Sequence, residues 1–421
     1  MLFITAFSGC LQFEQSNAGI IESQHVNSKL SFRSDDFVQV FLTDEEVAAL
    51  AVDRKGTYKI SESEAIDKLD RFSISNGKRI TSTKSIVLKK SQKTGKNLYY
   101  EITFENSSGD GFALVSADER VSKVLCYTEH GSISDTVYNK NLNFCLQLVD
   151  LYVEEKTKEE LEIGTLVSSA NEKLGIGNKG NSDMSILRNR AVCSATPNFT
   201  ETVSERLNFV PSGWHQNPPF NDSMPLVNIN QKAKVGCMML SVSQIMAYHK
   251  RPFKNYITTG MWPNIIDNCS TSVELKRLMR DAFDAMVVVY GITGTESNMI
   301  KTRDFLNNNG FIAGSETNYS YSGVWSAMYY GPTLIAGEDR FYFGHAWVVD
   351  GARTITTDEY LFTFLPPDCV KPAIIYQGSY DTDYIHHEWG HVGSYSSWTL
   401  SNVFDVSIFS YENVVFINYI Q

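Results

Sequence analysis

Residues Val235–Pro252 read VGCMMLSVSQIMAYHKRP, and this stretch decides the fold. From Cys237 onward, Leu240, Val242, Ile245, Met246 and Tyr248 fall at helical spacing, and Pro252 supplies a stop just after His249 and Lys250. The pattern predicts a helix of about thirteen residues with Cys237 at its first turn. A helix N-terminus presents unpaired N–H groups and the positive end of the dipole, which favour a thiolate. Gly236 has no side chain, so another backbone can approach there closely. Cys237 taken alone reads first as a small buried hydrophobe, so a base elsewhere has to decide the matter.

The base is sought in GPTLIAGEDRFYFGHAWVVDGAR, residues 331–353. Pro332–Ile335 and His345–Val349 read as two strands of a hairpin, with a turn expected at Asp350-Gly351. His345 follows Gly344 and opens an apolar strand, where an imidazole can face a cleft. A neutral imidazole takes a proton from a thiol, and the imidazolium then stabilises the thiolate. The plainer reading is a core histidine bonded to a carbonyl. Cysteine and histidine far apart in sequence can still meet in the fold, as papain-like sites require.

The chain has 421 residues, too many for one core, so two or three domains are expected. Hydrophobic residues make up 43% and charged residues 20%, which suits a globular protein. The net charge of −11 argues against a nucleic-acid partner, since phosphate binding needs a basic surface. Aromatic content of 12% favours β-rich cores and clefts for extended chains, so peptide or protein substrates remain open. The 7 cysteines form no CxxC pair and no metal-ligand spacing, and no cofactor is expected.

Residues 1–35 are expected to be an export segment followed by a polar tether. MLFITAFSGC ends like a bacterial lipoprotein signal, which would make Cys10 a lipid anchor on a secreted or outer-surface bacterial protein. A truncated start is the alternative, because no basic residue precedes the short apolar run and Phe7 departs from the usual signal. Residues 36–165 read as a smaller α+β domain. Helices are expected from Thr43 and from Ser61, strands at Ser85–Lys89, Leu98–Phe104 and Gly111–Ser116, and a helix over Asn141–Glu162. Residues 166–198, rich in Ser, Asn and Gly, read as a linker in which Arg188, Asn189 and Arg190 offer a cleavage site; an ordinary surface loop reads as well. Residues 199–421 form the second domain.

Five blocks, in order, resemble the streptopain family of papain-like cysteine peptidases. They are GFALVSADERVSKVLCYTEHG (111–131), WHQNPPFN (214–221), VGCMMLSVSQIMAYHKRP (235–252), GHAWVVDG (344–351) and HEWGHVGS (387–394). The resemblance implies an α+β fold: a two-lobed catalytic domain, one lobe helical and one of antiparallel strands, behind an inhibitory propeptide domain. It implies Cys237 as nucleophile, His345 as base, and an oxyanion hole from Gln216 and the Cys237 N–H. Gly236 and Gly344 would flank the substrate. Trp389 would shield the histidine, and Glu388 would orient it where the family has Asn. Its partners would be protein substrates and the chain's own propeptide. His391 also departs from the family, standing where an aromatic residue is usual.

Those two departures keep open a catalytically degenerate relative that binds or inhibits on the cell surface. His387-Glu388-Trp389-Gly390-His391 also fits the HExxH zinc signature, but its flanks lack helical periodicity. In a strand, His387 and His391 would stand about 13 Å apart, too far to share an ion.

Overall fold

The computed structural model describes residues 21–25, 38–107, 109–133, 140–158, 160–173, 198–251, 254–292, 294–338, 344–364, 372–390, 396–404, 413–417 and 420. Cys10, the Arg188–Arg190 cleavage candidate and His391 lie outside them.

In the first domain β1 (Ile21–His25) and β2 (Val38–Phe41) precede α1 (Asp44–Lys55) and α2 (Glu62–Ser75). Both helices start where the caps predict. Thr43 Oγ1 accepts the Glu46 N–H at 3.2 Å while Glu46 returns a bond to the Thr43 N–H at 2.8 Å; Ser61 and Glu64 repeat the arrangement. The strands β3 (Ile80–Lys90), β4 (Asn97–Asn106), β5 (Gly109–Ser116) and β6 (Val124–Thr128) form an antiparallel meander. It is covered by α3 (Lys140–Lys156).

The single helix expected over 141–162 ends instead at Lys156, where the Thr157 hydroxyl turns back to the Val153 carbonyl at 2.7 Å. A separate α4 (Ile163–Lys173) runs into the stretch that composition marks as linker. Buried Glu46 holds it there, bonded by the Ser169 hydroxyl at 2.8 Å and paired with Lys173 at 2.7 Å. Polar composition hides this, because one buried acid recruits polar residues into a packed helix.

The second domain opens with β7 (Asn198–Leu207) and two short hairpins. These are β8 (Leu226–Asn228) with β9 (Gln231–Lys232), and β10 (Val289–Tyr290) with β11 (Thr295–Glu296). Its helical lobe contains α5 (Cys237–Tyr248), α6 (Trp262–Asp267), α7 (Val273–Met286), α8 (Met299–Asn308) and α9 (Tyr321–Ala327). Its sheet contains β12 (Glu316–Asn318), β13 (Thr333–Glu338), β14 (Gly344–Phe364), β15 (Pro372–Glu388), β16 (Ser397–Leu400) and β17 (Asn413–Ile417).

All the strands outside the two hairpins join one thirteen-stranded sheet. Its main path runs β12-β17-β13-β14-β15-β16-β6-β5-β4-β3. The meander of the first domain is therefore an extension of the second domain's sheet, fused where Thr399 pairs with Cys126 and Ser397 with Thr128.

The expected β13–β14 hairpin is present, with Gly337 opposite His345 and Ile335 opposite Trp347. The turn expected at Asp350-Gly351 is instead a bulge, and β14 continues to Phe364. The extra residue is secured on all sides: the Asp350 carbonyl accepts the Asn208 N–H at 2.7 Å, and its carboxylate takes the Val210 N–H at 3.1 Å and His386 Nδ1 at 2.6 Å.

Strand β14 separates two apolar clusters by simple alternation. Trp347 and Val349 join the cluster that holds Phe104, Phe112, Tyr127 and Phe144 of the first domain. Ala346 and Val348 join the helical-lobe cluster around Leu240, Ile245, Trp262 and Leu278.

Candidate active site

Helix α5 begins at Cys237, with Gly236 as its N-cap. Gly236 sits at φ +98°, and a Cβ there would meet Met239 Sδ at 2.8 Å and Thr295 Cβ at 3.1 Å. Only glycine satisfies both the backbone and the space. The approach to the cysteine is pinned on two sides. The Val235 N–H donates to the Gln216 carbonyl at 3.2 Å, and Thr295 Oγ1 donates to the Lys234 carbonyl at 2.7 Å. Half-buried Gln216 is thereby held beside the start of α5. Gly344 is exposed, with open space where a side chain would be.

Three backbone N–H groups face the Cys237 sulfur: those of Ala346, Met238 and Cys237 itself. Burial pushes the thiol above its ordinary range, and these donors pull it partly back. Ala346 follows His345 directly, so the strand that carries His345 passes over the cysteine.

The His345 side chain belongs to the strand face of Trp347 and Val349, not to that of Ala346. Its ring stacks on Phe144 of α3, with centroids 5.3 Å apart and planes at 27°. The structure thus brings Cys237 to the backbone next to His345, while a first-domain aromatic engages the imidazole.

Beyond it the elements supply an aromatic wall. Trp389, whose indole N–H donates to Ser397 Oγ at 2.8 Å, stacks on His387 at 4.5 Å and packs on Trp347 at 5.2 Å. His387 is fully buried, accepts the Trp347 indole N–H at 2.8 Å, and is driven well below its usual range by burial and then by His386. It is a neutral core histidine. His387 and Glu388 close a strand, not a helix, and alternate in direction. No cluster of metal-ligating residues occurs among the described residues.

Glu388 is buried and faces the cysteine helix: it takes the Gly390 N–H at 3.3 Å and hydrogen-bonds the side chain of Gln244. Burial, and then the nearby Asp350 charge, pushes its carboxyl up to about 8. Gln244 and Phe144 were not legible as site residues. Gln244 does leave a trace in the sequence, as the one amide side chain on a mostly apolar helix, two turns beyond Cys237. Phe144 leaves none, because it is one apolar residue in a helical pattern.

Residues 58–153 match the Spi protease inhibitor family and residues 214–327 match the Peptidase C10 family. The second match contains Gln216, Gly236, Cys237 and Gln244; His345 and Glu388 lie beyond it. No curated protein sequence matches the chain. Among solved structures, a prointerpain A fragment from Prevotella intermedia is similar at 17% identity, with a TM-score of 0.45, over 79% of this chain and 98% of that one. Active interpain A cysteine protease from the same organism is similar at 17% identity, with a TM-score of 0.32, over 50% and 94% respectively. With a Spi-type propeptide region ahead of a Peptidase C10 region, the chain is a cysteine-type endopeptidase zymogen and belongs to the streptopain family of papain-like cysteine peptidases.

Proposed function

We propose that the chain is exported as a latent enzyme and that its mature form cuts peptide bonds with Cys237 and His345. The observation that carries this reading is the placing of the Cys237 sulfur at the start of α5, under the backbone N–H of Ala346. When the propeptide leaves, the imidazole released from Phe144 turns to the sulfur and takes its proton, giving a thiolate–imidazolium pair. The thiolate attacks the scissile carbonyl, and the oxyanion is held by the Cys237 N–H and the Gln216 amide. His345 protonates the leaving amine, and water then hydrolyses the acyl-enzyme.

Two hairpins flank the cysteine approach, tied together where the Lys234 N–H meets the Gly291 carbonyl at 3.4 Å. They expose Leu226, Ile229, Val289, Tyr290 and Ile292. Such a rim suits an extended polypeptide with apolar side chains, in keeping with a hydrophobic residue at the second subsite. Cleavage within the linker beyond Lys173 would release the propeptide. Cys10 would anchor the exported chain to lipid.

Casein digestion by the wild-type chain and by Cys237→Ala tests the reading. Digestion by the wild type alone, together with loss of self-cleavage in Cys237→Ala, is expected. Equal digestion by both would remove Cys237 as nucleophile.

A further inference from the structure

Gln244 lies seven residues after Cys237, on the same face of α5 as Cys237 and Leu240. The segment closing β15 packs on that face. Gly390, at φ +64°, leaves no room for a Cβ, which would meet Leu240 Cδ2 at 2.7 Å. Glu388 reaches the Gln244 amide in the same contact.

The hydrogen-bond inventory of this contact is nearly closed. Gln244 Nε2 donates to the Pro211 carbonyl at 2.9 Å, which settles which end of the amide is nitrogen. The same amide group faces the Glu388 carboxyl. Gln244 Oε1 is buried and receives no donor. A buried amide oxygen left without a donor is costly, because water no longer solvates it. An ionised carboxylate can only accept; a protonated one carries the missing O–H.

We propose that Glu388 is kept as a neutral carboxylic acid, paired with Gln244 by two opposed hydrogen bonds, and that the pair positions the cysteine helix against the end of β15. The acid donates to Gln244 Oε1 and accepts from Nε2, so all three polar positions of the amide are used. Glu388 is a positioning residue, acting on Cys237 through α5. Its effect on catalysis rests on the protease reading above; its protonation state does not.

The surroundings favour the neutral form. Burial and the Asp350 carboxylate on β14 both oppose ionisation of Glu388. Asp350 is itself engaged by His386 of β15 and by the Val210 N–H. Tyr248 of α5, whose hydroxyl donates to Asn208, is raised by burial and then by Asp350. His387 points to the other face of β15. Glu388, Gln244, Gly390, Pro211 and Asp350 all belong to the catalytic domain, so the pair survives propeptide removal.

The test uses the full chain bearing Cys237→Ala, which cannot self-process, with and without Glu388→Gln. Glutamine retains the donor and the acceptor but does not titrate. A carboxyl raised in the folded state contributes stability below its unfolded value and loses it as pH rises towards the folded one. Relative to Glu388→Gln, the unfolding equilibrium constant of the Glu388 chain should therefore rise about tenfold per pH unit between pH 5 and about 7.5, then level off above about pH 8. The difference between the two profiles reads Glu388 together with its coupling to Asp350. A pH-independent difference overturns the proposal.

Should Glu388→Gln not fold, infrared titration of the Cys237→Ala chain decides instead. A carboxylic-acid band lost near pH 8 supports the neutral acid, and no such band overturns it. In the mature enzyme, Glu388→Met should lower kcat at least tenfold more than Glu388→Gln does. Equal loss in both would overturn the positioning role while leaving the protease reading intact.

Discussion

Phe144 of the propeptide and His345 of the catalytic domain lie ring on ring, with centroids 5.3 Å apart. Phe144 is buried, and its ring also packs on Trp347 at 6.1 Å. One apolar side chain therefore docks helix α3 and covers the His345 imidazole at the same time.

Phe144→Ala should weaken both functions. Truncating a buried phenylalanine costs about 3–5 kcal/mol, part of it in docking between the domains. We expect self-cleavage of the full chain to speed up at least tenfold, and the separate propeptide to inhibit mature enzyme at least tenfold more weakly. Gel assays of processing and inhibition titrations read the two effects. Unchanged rates would show that the stack carries no latency.

Cys237 should be a poor nucleophile in the zymogen. Burial raises its thiol, and raising a thiol keeps it protonated, so alkylation by iodoacetamide should climb only well above neutral pH. Removing the propeptide frees His345 to pair with the sulfur, so alkylation should then be fast at pH 6. An identical pH–rate profile before and after processing would contradict this.

Gln216 should act on the transition state. Removing one oxyanion donor costs about 2.7–4 kcal/mol, so Gln216→Ala should lower kcat about 10²–10³-fold with KM nearly constant. Steady-state kinetics on a peptide substrate separates the two constants. A change confined to KM would assign Gln216 to ground-state binding.

Gly236→Ala should damage the site without touching its chemistry. The new Cβ meets Met239 Sδ at 2.8 Å on a backbone at φ +98°. We expect a loss of about 1–3 kcal/mol of stability, seen as a lower Tm in the Cys237→Ala background, and a lower kcat/KM in the active chain. An unchanged Tm would mean that the helix start relaxes at no cost.

Local features were readable from residues alone. Thr43 with Glu46 and Ser61 with Glu64 announce helix starts, because a cap is written within four residues. The apolar spacing from Cys237 to Tyr248 marks the boundaries of α5, and Gly344-His345-Ala346-Trp347 marks its strand. Periodicity and capping are short-range, so a single sequence carries them in full. Long-range register is another matter. The bulge at Asp350 looked like a turn, because Asp-Gly favours either; its partners Asn208, Val210 and His386 come from other strands and loops. Pairing of Thr399 with Cys126, of Phe144 with His345 and of Glu388 with Gln244 joins residues more than a hundred positions apart. The sequence by itself determined which residues are chemically able to act and which local element carries each. Only the tertiary structure decided which faces meet, and so that Phe144 stacks on His345 and Glu388 lies against Gln244: burial and satisfaction of polar atoms are settled by packing between elements, on which local residue order is silent.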